Sequence, residues 1–297
     1  MSSDRTVLHA PRAVADAQIA IAAFVAGAGW LFSIKALAGL PPLLFLGSRF
    51  VIAGLLIGIM ASFPPIAALG RTVRLLLPGA LAFAVAMIAW IFGLKQTANP
   101  GVAAFITSTG NLLVPVFGLL FFGWPVGARL WISIAIALAG MALLFLGPNA
   151  RVEAAHIYFV VSALLWAASM AFVKHNSAAV GAGGVAAVQL VVAGFVILAA
   201  SLVVEEVPAA VPSIEIWGWF LASVLISTCL RFVLQFRGQQ SISAARASLI
   251  MCSEPVWVLL FSLTFLGAPL SLSQMLGCAV ILLATLSQVF ARPDLVG

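Results

Sequence analysis

Apolar runs of about 17 to 25 residues follow one another along nearly the whole chain, separated by short stretches with Pro, Gly or charge. Runs of this length suit helices that cross a bilayer, whereas a transmembrane barrel shows alternating strands of roughly ten residues. Only 7% of the residues are charged, which excludes an ordinary soluble domain. The predicted fold class is therefore all-α integral membrane. Spans are expected near 17–36, 43–62, 75–94, 101–122, 129–147, 156–174, 184–204, 215–236, 243–265 and 272–291.

The second half of the chain repeats the pattern of the first half. The segment Arg-Phe-Val-Ile-Ala-Gly at 49–54 returns as Gln-Leu-Val-Val-Ala-Gly at 189–194, and Gly-Trp-Pro at 123–125 returns as Gly-Ala-Pro at 267–269. Each half holds five predicted spans, and because five is odd the second copy enters the membrane from the opposite side. Ten transmembrane helices in two inverted five-helix repeats are typical of alternating-access carriers.

Four segments follow from this organisation: a tail at 1–16, a first five-helix repeat at 17–148, a second, inverted repeat at 149–292 and a tail at 293–297. With ten spans both tails lie on one side, and that side carries most of the loop cations. The richer side holds Arg5, Arg12, Arg71, Arg74, Arg129, Lys174, Arg237, Arg246 and Arg292, and the poorer side holds Lys35, Lys95 and Arg151. The positive-inside bias predicts that both tails are cytoplasmic.

Two prolines lie within predicted spans that are equivalent across the repeat, Pro115 in span four and Pro255 in span nine. Proline lacks an amide donor and clashes with the carbonyl four residues earlier. In hydrocarbon, a freed carbonyl must find a partner in protein, water or ligand. We therefore expect helix breaks at Pro115 and Pro255, next to the polar residues Asn111 and Glu254. The breaks either flank a substrate site or bend the helices to fit the bundle.

Glu254 lies about ten residues into span nine, near the membrane midplane. A charged carboxylate there costs about 2.5–3.5 kcal/mol, so it must face a cavity, be paired or be protonated. The long side chain of Arg231 in span eight is within reach. Three roles stay open for Glu254: proton coupling, contact with a substrate amine, or an ion pair with Arg231.

An apolar stripe follows one face of predicted span three, where Phe83, Met87 and Trp90 have the spacing i, i+4, i+7. Trp166 lies at a similar depth in span six. Such a surface suits a planar aromatic ligand or a cation held over a ring, and it equally suits packing against neighbouring helices. The candidate substrate-binding residues are Phe83, Met87, Trp90, Asn111, Trp166, Ser253 and Glu254.

The motifs of enzymes and of ATP-driven pumps are missing from the sequence. There is no phosphate-binding Gly-Lys-Ser/Thr loop, no His-Glu-x-x-His and no Gly-x-Ser-x-Gly, and the histidines lack metal-ligand spacing. We expect no enzyme, no cofactor and no metal. The cations are scattered, so nucleic acid is not an expected partner. The expected partners are a small-molecule substrate and the lipid bilayer, with monomer and homodimer both open.

Several short motifs resemble a known family. The matching pieces are Pro42 with Arg49, Gly-Leu-Lys-Gln-Thr at 93–97, Glu254-Pro255, Trp-Ala-Ala at 166–168, Asn111 with Pro115, and Ala-Pro-Leu-Ser at 268–271. The chain resembles the drug/metabolite transporter superfamily, in its paired five-helix-repeat exporter branch, and the last three pieces resemble bacterial aromatic amino-acid exporters. Where that family often has Glu after the Gly that ends span four, this chain has Trp124.

The resemblance implies export of amino acids and related metabolites across a bacterial inner membrane. It also implies a central cavity lined by spans one, three, four, six, eight and nine. Two alternatives remain open at this point. One keeps the fold but changes the cargo to cationic drugs or other metabolites, and the other is a passive channel or facilitator.

Overall fold

The computed structural model describes residues 11–61, 66–97, 100–145, 154–177, 180–206, 211–267 and 271–289. In the first half the helices are α1 (Arg12–Ala36), α2 (Pro42–Ala61), α3 (Ile66–Gln96), α4 (Pro100–Phe122) and α5 (Ala128–Phe145). In the second half they are α6 (Ala155–Asn176), α7 (Ala182–Val204), α8 (Ile214–Val224), α9 (Arg231–Ser241), α10 (Ala244–Met251), α11 (Glu254–Leu266) and α12 (Leu272–Val289). A π-helical turn, Leu225–Leu230, joins α8 to α9.

Capping residues mark several of the helix ends. Ser213 and Ser243 precede α8 and α10, and each side chain accepts the backbone N–H three residues later. Gly123 and Gly267 follow α4 and α11 with φ of 65° and 66°, a left-handed conformation that favours glycine. These two glycines are equivalent in the sequence repeat, so the two halves end the same helix in the same way.

The helices pack in pairs that are unchanged when the two halves are exchanged. α2 packs against its repeat equivalent α7, and α5 packs against its equivalent α12. The contact of α3 with α6 has its counterpart in the contact of α1 with α8 and α9. At the α2–α7 contact, Gly54 faces Val191 and Gly194 faces Val51 in matching close approaches. This packing supports two related halves around a pseudo-twofold axis.

Eight helical stretches of the described residues are long and apolar enough to cross a membrane. They include α8 to α9 as one stretch and α10 to α11 as another. The other two predicted spans correspond to α5 and α12, helices of 18 residues each, so ten crossings stay a prediction. Large side chains face outward from the bundle, such as Met60 and Leu202, each 85% exposed, as a lipid-facing surface requires.

Several sequence-based boundaries need correction. α3 begins at Ile66 rather than near 75, and α1 begins at Arg12 rather than 17. α4 continues through Pro115 to Phe122, so the helix is not interrupted where a break is expected, and the loosening of the Asn111 carbonyl stays a prediction. A proline removes one hydrogen bond, and a long helix with packed neighbours continues past that loss. The predicted boundary at 148/149, the tail 293–297 and most of the tail 1–16 lie outside the described residues.

Candidate substrate cavity

A cavity lies in the middle of the bundle, between helices of both halves. Its lining residues are Ala26, Gly29, Trp30, Leu46, Arg49, Phe50, Met87, Trp90, Thr107, Ser108, Asn111, Trp166, Ser227, Arg231 and Glu254. All six predicted spans contribute, and α2 contributes as well. The cavity volume is about 50 Å³, which holds a few water-sized groups. A ligand as large as an aromatic amino acid therefore requires the walls to move apart from this conformation.

Glu254 stands at the helix break that the sequence predicts for Pro255. α10 ends at Met251 and α11 begins at Glu254, with Pro255 in the first turn, where its missing N–H costs no intrahelical bond. The carboxylate accepts the indole N–H of Trp30 at 2.9 Å. The break thus places the carboxylate of an apolar helical stretch at the cavity.

Arg231 begins α9 directly after the π-helical turn and faces Glu254. Its Nη2 lies 4.0 Å from Oε2 of Glu254, so the predicted pair is brought together. The guanidinium also lies over the rings of Trp166 and Phe232, with Cζ 5.1 and 5.2 Å from their centroids. Its buried Nε has no hydrogen-bond partner among the described residues. Arg231 is thus held by one long ion pair and two aromatic faces.

Arg49 is a second guanidinium at the cavity, reaching in from α2. Its Nε donates to Oγ1 of Thr228 at 2.6 Å, and its Nη1 donates to Oγ of Ser33 at 3.0 Å. Its Cζ lies 5.6 Å from the ring centroid of Phe50. Within the described part of the chain, no carboxylate oxygen lies within 4.0 Å of Arg49. The cavity therefore carries two guanidinium groups and one carboxylate.

Aromatic side chains form the apolar walls of the cavity. The rings of Trp30 and Trp90 meet edge to face, with centroids 5.1 Å apart and planes at 84°. Met87 lies one turn from Trp90 on the same face of α3, and Trp166 faces them from α6. The wall is therefore built from both halves of the chain.

Two of the predicted substrate-binding residues do not line this cavity. Phe83 lies one turn from Met87 on α3, is fully buried and stacks on the lining residue Phe50, with ring centroids 5.3 Å apart. The hydroxyl of Ser253 donates to the carbonyl of Ile250 at 2.8 Å, because the break between α10 and α11 leaves carbonyls that need partners. Neither residue lines the cavity in this conformation, whereas Met87, Trp90, Asn111, Trp166 and Glu254 lie together there. A role of Phe83 and Ser253 in substrate binding stays a prediction.

Sequence reasoning missed several lining residues. Arg49 carried a usable signal, because an arginine inside an apolar span is costly and marks a cavity or a partner. The small and hydroxyl-bearing residues Thr107, Ser108 and Ser227 carried no comparable signal. The π-helical turn that places Ser227 at the cavity was also not predicted, although such turns recur at functional sites.

The sequence pattern that defines the EamA-like transporter family matches residues 14–146 and again residues 154–289. The chain belongs to the EamA-like transporter family. This confirms the predicted drug/metabolite transporter superfamily and the two-repeat fold, and it makes the chain a membrane transporter rather than an enzyme. Family membership does not identify a substrate, so the narrower resemblance to aromatic amino-acid exporters stays a prediction.

Two bacterial transporters are similar to this chain in sequence, and a solved structure is similar to it in fold. The chain is 28% identical over 263 residues to the uncharacterized inner membrane transporter YedA of Escherichia coli (strain K12), covering 82% of this chain and 80% of YedA. It is 32% identical over 71 residues to the uncharacterized transporter YcbK of Bacillus subtilis, covering 24% and 23% of the two chains. A crystal structure with 17% identity superposes with a TM-score of 0.72 over 92% of this chain and 96% of that chain. That likeness shows the fold.

Proposed function

We propose that this protein exports amino acids, with aromatic amino acids as the first candidates, by alternating access across a bacterial inner membrane. The observation that carries the proposal is one cavity with charges of both signs, an amide and three tryptophans. A zwitterion needs an anion for its ammonium group, a cation for its carboxylate and an apolar wall for its side chain. Glu254, the arginines and the tryptophans match these needs.

Glu254 is the proposed contact for the substrate amine. At 4.0 Å, its pairing with Arg231 is longer than a direct N–H···O hydrogen bond, so an incoming ammonium group competes for the same oxygen. The indole N–H of Trp30 holds the other oxygen and keeps the carboxylate in place. Asn111 supplies donors and an acceptor to either end of the substrate. Proton coupling through Glu254 and a structural ion pair with Arg231 are the two alternatives for this residue.

Two sets of contacts support a conformation that is closed on the cytoplasmic side. Under the proposed topology of ten helices with both termini in the cytoplasm, Asp16 and Arg246 lie at that end and pair through two bonds of 2.7 Å. At the same end, Nζ of Lys174 donates to the carbonyl oxygens of Gln239 and Ile242 at the end of α9. These contacts tie α1 to α10 and α6 to α9.

At the opposite end the equivalent lysine contact is missing: Lys35 ends α1 as Lys174 ends α6, but its ammonium group makes no hydrogen bond or ion pair with the described residues. The tie between the halves at that end is made by Glu205, which accepts the backbone N–H groups of Leu43 and Leu44 and joins α7 to α2. In an alternating-access cycle the contacts at the two ends exchange, and cargo enters or leaves on the side whose contacts are broken. The small cavity volume fits the same cycle, because bulky cargo enters only after one end opens.

Counterflow in liposomes tests the proposal. The purified full-length protein is reconstituted, each of the twenty amino acids is loaded inside, and uptake of labelled amino acid is followed with and without an imposed proton gradient. We expect saturable exchange for at least one aromatic amino acid, faster with cargo on the far side. Flux without saturation or trans-acceleration indicates a channel, and flat responses throughout overturn the amino-acid proposal.

A further inference from the structure

The charges at the cavity do not balance, and the surplus is positive. Glu254 faces Arg231, whereas Arg49 has no carboxylate oxygen within 4.0 Å among the described residues. A buried cation in a membrane protein needs compensation from a partner, from water or from a ligand. From this surplus we infer that Arg49 is the anchor for a substrate carboxylate, and that the cavity excludes cationic solutes. This inference rests on the proposed function and specifies its substrate class.

The surroundings of Arg49 hold its guanidinium in place without neutralising it. The hydroxyl of Thr228 donates its own proton to the carbonyl of Ser223 at 2.8 Å, and the hydroxyl of Ser33 donates to the carbonyl of Gly29 at 2.7 Å. Each hydroxyl therefore offers only lone pairs to Arg49. Because arginine has five N–H donors and these two bonds use two, other donors remain for a ligand.

The π-helical turn contributes directly to this arrangement. Thr228 lies in the turn, and its bond to Ser223 spans five residues, the spacing of a π-helix. Gly29 lets the turn approach α1 closely, because a Cβ at that position would lie 2.7 Å from Cβ of Ser227. Two helices and the turn thus fix one guanidinium at the cavity, with a planar group suited to a carboxylate.

The same charge count argues against a cationic cargo. The sequence left cationic drugs open because Glu254 is an intramembrane acid. In the structure, a cation that reaches Glu254 also meets the charges of Arg231 and Arg49 at the same cavity. Like charges in a low-dielectric site repel strongly, so an amine without a carboxylate has an unfavourable net interaction. A zwitterion or a monoanion carries a carboxylate that the arginines attract, so its net interaction with the cavity is not unfavourable.

Matched ligands that keep or lack the carboxylate and the ammonium group on one scaffold test the inference. On a phenyl scaffold the probes are 3-phenylpropanoate, phenylalanine and phenethylamine, and on an aliphatic scaffold they are 4-methylpentanoate, leucine and isopentylamine. Binding to the full-length protein in nanodiscs is measured by calorimetry. We expect the acids and amino acids to bind at least about tenfold more tightly than the matched amines. Equal or tighter binding of the amines, or no binding of any carboxylate, overturns the inference.

Variants separate a binding role of Arg49 from a structural one. We expect Arg49→Met to weaken carboxylate binding by about tenfold or more and to reduce the preference for acid over amine. Arg49→Lys keeps the charge and should keep that preference, with weaker carboxylate binding. Thr228→Val removes one acceptor and tests the positioning of Arg49 if the methionine variant does not fold. Arg71→Met, at an exposed arginine of α3, is the matched control.

The outcomes separate this inference from the proposed function. An unchanged ratio of acid to amine affinity in folded Arg49→Met overturns the role of Arg49, even where amino-acid counterflow persists. Conversely, carboxylate binding that depends on Arg49, with no amino-acid counterflow, supports this inference and overturns amino-acid export.

Discussion

Trp30 donates its indole N–H to Glu254 at 2.9 Å, which joins residues 224 positions apart at the cavity. The bond links α1 to the first residue of α11. The other carboxylate oxygen faces Arg231 at 4.0 Å. The carboxylate is therefore held from one side by an aromatic N–H and remains available from the other, which is the geometry that a substrate contact needs.

Replacing Glu254 should affect transport more than replacing Trp30. Glu254→Gln keeps an oxygen for the indole N–H but removes the charge, and we expect exchange to fall by about tenfold or more because charged hydrogen bonds are the stronger ones. Trp30→Phe removes one donor and should reduce exchange by a smaller factor. Counterflow normalised to reconstituted protein measures both. Wild-type exchange in Glu254→Gln would leave this carboxylate without a role in binding.

Asn111 and Trp166 line the cavity from opposite halves, so truncating either should weaken transport. We expect Asn111→Ala and Trp166→Ala to raise the substrate concentration needed for half-maximal exchange, while the amount of protein in the membrane stays unchanged. Phe195→Leu is the control, because that side chain is 58% exposed on the outer face of α7. Unchanged transport in both cavity variants removes these residues from the site.

The Asp16–Arg246 pair should stabilise the conformation observed here. Its two bonds of 2.7 Å are charge-assisted and bidentate, and both side chains are largely buried. We expect Asp16→Arg or Arg246→Asp alone to lower the free energy of unfolding by about 1.5–3 kcal/mol. The double exchange should recover part of the loss, as read from thermal unfolding in detergent. A double variant less stable than either single variant contradicts a direct pairing.

The close contact of α2 with α7 gives a prediction about stability alone. A Cβ on Gly54 would lie 2.7 Å from Cγ2 and 2.9 Å from the backbone N of Val191. Gly54→Ala should therefore cost about 1–3 kcal/mol through overpacking. Gly70→Ala, with no heavy atom within 4 Å, should instead stabilise α3 by about 0.5–1 kcal/mol. Equal thermal unfolding of the two variants would contradict the close packing.

The candidate site shows where reading along the chain succeeds and where it stops. Glu254 and Pro255 were recognisable because a carboxylate and a helix breaker are both anomalous in an apolar span. Phe83 and Ser253 lie outside the cavity lining, because helical spacing gives the face of a residue but not the depth at which a cavity ends. Pro115 illustrates a related point: its neighbours in the bundle decide whether the helix continues past the proline.

The chain by itself determined that it forms apolar helices in two related halves, because the hydrophobic period, the prolines and the repeated glycines are local properties. Only the tertiary structure decided which side chains meet at the cavity. The hydrogen bond between Trp30 and Glu254 joins residues 224 positions apart in the sequence. The hydrogen bond between Arg49 and Thr228 joins residues 179 positions apart. Their pairing depends on the depth and rotation of packed helices, which the contacts of the whole bundle set together.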